Sequence, residues 1–176
     1  MTKIVADISM SLDGFVTGPD PDLEHGLGRG GEPLHTWAVQ STADVDAEIL
    51  RETTEATGAV VMGRKLFDIV DGPHGWSDEM GYGAGLAGTP PFFVVTHSIP
   101  QPVRLGLRFT FVTDGLESAV NQAREAAGGK DVFSRTAYGR EAPRVGRGSP
   151  AMLDVETSGR YPTCDIGAQR SPKEER

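Results

Sequence analysis

An unbroken apolar run, Ala59-Val60-Val61-Met62, passes through Gly63 directly into the cations Arg64 and Lys65 and on into Leu66-Phe67-Asp68. A continuous apolar stretch of this kind fits a strand buried on both faces, the habit of a central strand in a parallel sheet. Parallel neighbours need a crossover, and the glycine followed by Arg-Lys reads as the turn into a helix. This order puts positive charge and free backbone N–H groups at one point, as a phosphate-bearing ligand requires.

The rest of the chain supplies companions for that strand. Lys3 to Ser9 reads as a first strand, followed by the loop Met10-Ser11-Leu12-Asp13-Gly14-Phe15-Val16-Thr17-Gly18, whose two glycines permit tight turning. Residues 19–36 are rich in Gly, Pro and charge and read as a long surface excursion. Ser41 and Asp44 stand at capping-box spacing before a helix expected over Thr42 to Thr57, with Gly58 as its stop. After a second Gly/Pro-rich excursion at 71–91, which carries His74, Trp76 and Tyr82, further strands are expected at Pro91 to Thr96 and Phe109 to Thr113. Asp114 then caps a helix with Leu116, Val120, Ala123 and Ala127 on one face, ending at Gly128-Gly129, and Lys130 to Phe133 begins a fifth strand. Alternating strands and helices predict a three-layer α/β fold with a mostly parallel sheet and a ligand site beyond the strand C-termini, where the Asp13 loop and the Gly63 turn both fall.

Composition narrows the function classes. A net charge of −8 and a pI near 5.0 disfavour a nucleic-acid or anionic-membrane surface, although a local cationic pocket at Arg64 and Lys65 survives in an acidic protein. Cys164 is the single cysteine, so an intrachain disulfide is impossible, and with no export signal or long apolar run the expected location is the cytoplasm. His25, His35, His74 and His97 lack metal-type spacing, and no metal is expected. Gly26-Leu27-Gly28-Arg29-Gly30-Gly31 matches GxGxxG, but Pro19 to His25 rather than a strand precede it and Glu32-Pro33 come after it. The Rossmann mechanism fails there, and fails equally at Gly83 to Gly88; both read as loops.

The segments Ile4-Val5-Ala6-Asp7-Ile8-Ser9-Met10-Ser11-Leu12-Asp13-Gly14-Phe15 and Val60-Val61-Met62-Gly63-Arg64-Lys65-Leu66-Phe67-Asp68, in this order, resemble the dihydrofolate reductase-like superfamily. Within it, standalone relatives of the reductase domain of the bacterial riboflavin-pathway deaminase-reductase are the nearest match, over about residues 1–132. The resemblance implies hydride transfer from NADPH to a pterin-like or ribosylaminopyrimidine small molecule, and a homodimer. It implies that Ala6 and the loop from Asp13 through Gly14, Phe15 and Val16 to Gly18 close over the nicotinamide. Gly63, Arg64 and Lys65 are implied to meet cofactor phosphates, and Thr96, His97 and Ser98 to flank the adenosine. Two departures stand out: Leu66 replaces a common Thr or Ser, and the substrate-side carboxylate of dihydrofolate reductases falls near Ala47, which leaves Asp46 as the candidate substrate contact. A solvated helix start is the competing reading for Asp46 and its acidic neighbours.

The pattern stops near Phe133. The Gly-Gly pyrophosphate turn and the C-terminal hairpin that the resemblance implies have no counterpart in Ser134 to Arg144 or beyond. Residues 133–176 hold 8 of the 17 Lys+Arg and 6 of the 25 Asp+Glu, a net of +2 against −10 for the remainder. This segment is expected to be an Arg/Gly/Pro/Ser-rich tail, disordered or displaced in reading frame, that leaves the sheet incomplete. A non-catalytic nucleotide binder or an inactive remnant on the same scaffold are the alternatives to an active reductase.

Overall fold

Side chains along the strands alternate between two faces, and each face has its own core. The computed structural model describes residues 2–6, 8–12, 15–78, 82 and 89–135. Strand β1 spans Ile4–Ala6, β2 Thr57–Gly63, β3 Phe92–Val95, β4 Phe109–Val112 and β5 Asp131–Arg135. They form one sheet in the order β1-β5-β2-β3-β4, and every pairing is parallel. Val60, Met62, Phe92, Val94 and Phe133 face one core, and Ala59, Val61, Phe93, Val112 and Val132 face the other.

Helices cover both faces. Helix α1 spans Thr36–Val39, α2 Asp44–Ala56, α3 Arg64–Val70 and α4 Leu116–Ala126. Leu66, Phe67 and Val70 of α3 close the first core, where Phe67 meets Phe109 and Phe111 edge-on at centroid distances of 5.0 and 5.1 Å. On the opposite face, Ala119, Ala123 and Ala127 are small enough to bring α4 down onto β2 and β3. The three-layer α/β arrangement with a parallel sheet expected from the sequence is the one observed. Among the described residues no helix is long and apolar enough to cross a membrane.

Several local expectations are corrected. Strand β1 covers only Ile4–Ala6, and beyond it Ile8 is half-exposed. Gly58 does not stop a helix: β2 begins at Thr57, and a Cβ on Gly58 would lie 2.5 Å from the Ala127 carbonyl oxygen, so the glycine permits close approach of strand and α4 terminus. The start of α2 is capped by Ala43 rather than a Ser41-Asp44 box. Ser41 Oγ instead accepts the Ala43 N–H at 3.1 Å and donates to Asp46. Helix α4 is preceded by Gly115 at φ 108°, with no side-chain cap from Asp114, and Leu116 is 53% exposed rather than on the buried face.

The two excursions also contain more structure than their composition implied. A 3₁₀ turn at Glu32–His35 leads into α1, with Pro33 in its first positions, and Trp37 Nε1 donates to Ser9 Oγ at 3.1 Å. The segment after α3 folds back on the sheet: Trp76 and Tyr82 pack with Phe92, and Arg135 lies over the Tyr82 ring with its guanidinium carbon 5.0 Å from the centroid. Pairing of Ser134 with Val61 and of Arg135 with Met62 carries β5 through the first three residues of the expected tail; residues 136–176, the rest of that tail, lie outside the described residues.

The aromatic contacts make Phe67 the joint between α3 and the sheet. Phe67→Ala is expected to lower unfolding stability by about 3–5 kcal/mol, read as a reduced urea midpoint with little change in slope. A loss under about 1 kcal/mol would show that α3 is not anchored this way.

Candidate functional site

All five strands point the same way, so their C-terminal ends share one edge. The registers Ala6 with Ser134, Met62 with Arg135, Gly63 with Val95 and Val95 with Val112 level the strand ends there. The residues just past each strand end are thereby set side by side: Arg64 after β2, Thr96 to Ser98 after β3, and Thr113 to Gly115 after β4. These meet around a cavity of about 370 Å³ lined by Arg64, Val95, Thr96, His97, Ser98, Thr113 and Gly115.

Arg64 is held in a defined position. Its Nη1 donates to Thr96 Oγ1 at 3.3 Å and to the Ser98 carbonyl oxygen at 2.9 Å, while Nε donates to Asp68 Oδ1 at 2.6 Å. Thr96 is buried and donates its own hydroxyl to the Ser98 carbonyl oxygen at 2.8 Å, which fixes the bend that carries His97 and Ser98 outward. Among the described residues Nη2 makes no hydrogen bond, so a charged donor remains for a ligand. Helix α3 has only seven residues, so positive potential here comes chiefly from the guanidinium rather than the helix dipole.

The two cations share one opening and not the other. Consecutive helical residues do not face each other. Lys65 is exposed and lines a second opening of about 560 Å³ with Leu23, Ile69, Pro100 and Pro102, to which Arg64 and Asp68 also contribute. Leu66 is 8% exposed and packs in the core with Phe67 and Val60, so that position serves packing.

The remaining expected residues are dispersed. Ala6 is exposed at the end of β1, on the same edge but two strands from Gly63. Asp13 and Gly14 lie outside the described residues. Ser11 and Phe15 close a turn through Ser11 N–H to the Phe15 carbonyl oxygen at 2.8 Å and Phe15 N–H to Ser11 Oγ at 2.9 Å, and Phe15 is 61% exposed. Gly18 belongs to another loop, its N–H bonded to the Leu27 carbonyl oxygen at 2.7 Å. Neither opening is lined by Phe15, Val16 or Gly18. Asp46, engaged by Ser41 in the first turn of α2, likewise lines neither opening and acts as part of the helix start.

The first GxGxxG run closes that same 18–31 loop. Gly28 has φ +75°, and a Cβ there would lie 2.3 Å from the Gly18 carbonyl oxygen. The loop is tied by Asp22, which accepts the His25 N–H at 2.6 Å and the Glu24 N–H at 2.9 Å. The His25 N–H chiefly holds the Asp22 carboxyl below its ordinary value. Gly83 to Gly88 lie outside the described residues.

Gly63 behaves differently from Gly28. Its φ and ψ of −81° and 161° suit any residue, and among the described residues a Cβ there would meet no atom within 4 Å apart from its chain neighbours. Neither conformation nor packing demands glycine. The space beside it is open, as close approach of a ligand requires.

Sequence reasoning missed Thr113 and Gly115 as lining residues and Asp68 as the partner of Arg64. No sequence signal marks the first two, which the register of β4 with β3 sets beside Thr96. Asp68 lay four residues from Arg64, at helical pairing distance.

No family model matches the chain, nor does any curated protein. A solved structure named "Putative riboflavin biosynthesis protein from Shewanella sp. PV-4" is similar at 21% identity, covering 77% of this chain and 64% of that one, with a TM-score of 0.42. The chain thus spans less than two thirds of that protein.

The open space at Gly63 supplies a test. Gly63→Ala is expected to change stability by under about 1 kcal/mol, yet to weaken binding of a nucleotide at this edge by ~10-fold or more in a titration monitored by fluorescence. Unchanged affinity would show that the ligand does not approach Gly63.

Proposed function

We propose that this chain is an NADPH-binding oxidoreductase of the dihydrofolate reductase-like type, with a pterin-like or ribosylaminopyrimidine small molecule as hydride acceptor. The observation that carries the reading is the clamped Arg64 beside an open Gly63 at the C-terminal edge of a parallel sheet. That edge is where open α/β sheets take their ligands.

The residues present fit the cofactor. Arg64 supplies a fixed charged donor for a phosphate, and the cavity walls from Thr96 to Ser98 and at Thr113 and Gly115 offer hydroxyl and backbone groups for a nucleoside. Gly63 leaves room for the phosphate chain to cross the edge. Bound NADPH supplies the hydride. The protein's share is orientation and exclusion of water, for which the exposed apolar side chains of Met10, Leu12 and Phe15 beyond β1 are suited.

A second reading, nucleotide binding without turnover, is favoured by Asp46. Its engagement with Ser41 leaves the candidate substrate carboxylate in a structural role. Substrate-dependent NADPH oxidation separates the two readings, because a binder saturates with NADPH but does not oxidise it.

Binding itself is tested by titration. Wild-type protein is expected to prefer NADPH over NADH, and Arg64→Gln to weaken NADPH by ~10- to 100-fold while leaving NADH nearly unchanged. Equal affinity for both dinucleotides in the wild type would contradict the reading.

A further inference from the structure

The partners of Arg64 are of two kinds. Thr96 Oγ1 and the Ser98 carbonyl oxygen are neutral acceptors that hold Nη1. Asp68, one helical turn further along α3, is the carboxylate that meets Nε at 2.6 Å, and it is the only acid in ion-pair contact with Arg64 among the described residues. Arg64 lines both openings, whereas Asp68 lines the larger one and not the Thr96–Gly115 cavity.

We propose that Asp68 sets the phosphate selectivity of the site by acting through Arg64. Its carboxylate offsets part of the guanidinium charge, so an anionic group entering from the Thr96 side binds more weakly than to an unopposed arginine. The inference rests on the nucleotide reading above and adds a residue that tunes how strongly a 2′-phosphate is told apart from a bare ribose hydroxyl.

The geometry separates charge from positioning. Nη1 keeps both neutral anchors whatever stands at 68, and the amide oxygen of an asparagine there can still accept from Nε. Replacing the acid by its amide therefore removes a negative charge while leaving the guanidinium where it is. The side chains are 36% and 41% exposed, so water and salt screen the effect without abolishing it.

Adenosine 2′,5′-bisphosphate and adenosine 5′-phosphate differ only in the 2′-phosphate and serve as probes. In calorimetric titration of the full chain at low salt, Asp68→Asn is expected to bind the bisphosphate ~3- to 10-fold more tightly than wild type and the monophosphate equally. The gain shrinks as salt is raised, and Asp68→Glu, which keeps the charge, stays near wild type. Asp68→Ser gives the same tightening and serves if the asparagine variant does not fold. Wild-type binding of the bisphosphate with no tightening, or a loss, in the charge-removing variants overturns the role of Asp68 and leaves the nucleotide reading standing. Wild type and variants that fail to tell the two probes apart overturn both.

Discussion

Parallel pairing of β2 with β5 on one side and β3 on the other is the constraint on which the rest depends. A strand in that position is buried on both faces, which is why Ala59 to Met62 are all apolar and at most 3% exposed. Parallel neighbours also need crossovers, and these supply the helices whose Leu66-Phe67-Val70 and Ala119-Ala123-Ala127 faces complete the two cores. The same direction of travel brings every strand terminus to one edge. Fold and site therefore share one cause.

At that edge the electrostatics are local. A chain of net charge −8 presents an arginine held by three acceptors, one of them charged. Lys65 joins Arg64 at the larger opening but not in the Thr96–Gly115 cavity, because a helix turns successive side chains apart. What the arginine offers a ligand then depends on its neighbours as much as on its own charge, with Thr96 and Ser98 fixing direction and Asp68 moderating strength. Gly63 and Gly115 leave space beside it, since among the described residues a Cβ at either would meet nothing within 4 Å apart from its chain neighbours.

The layer order and the central strands were legible in the sequence because burial on two faces leaves an unmistakable apolar run, as at Ala59 to Met62 and Phe92 to Val95. Strand β1 was overextended because an edge strand beside β5 needs no apolar residue beyond Ala6, and half-exposed Ile8 carries the pattern on without the pairing. Gly58 was misread because a glycine serves close approach as readily as a helix stop. Of the candidate residues, Arg64, Thr96, His97 and Ser98 line one cavity, and Lys65 lines only the larger opening beside Arg64. Thr113, Gly115 and Asp68 required knowledge of register and helix phase. Trp76 and Tyr82 lie in a Gly/Pro-rich stretch, yet their aromatic surface draws them onto Phe92, a tertiary effect that local composition does not encode.

The central claim is that an anionic nucleotide meets Arg64 at the shared strand edge. Heteronuclear NMR of the protein titrated with adenosine 2′,5′-bisphosphate tests it most directly, by tracking the Arg64 Nε–H signal and the backbone amides. The account predicts that Arg64 Nε–H shifts together with the amides of Gly63, Thr96 to Ser98 and Thr113 to Gly115. Shifts confined to Lys65, Ile69 and Gln101 around the other opening, with Arg64 Nε–H unmoved, would contradict it.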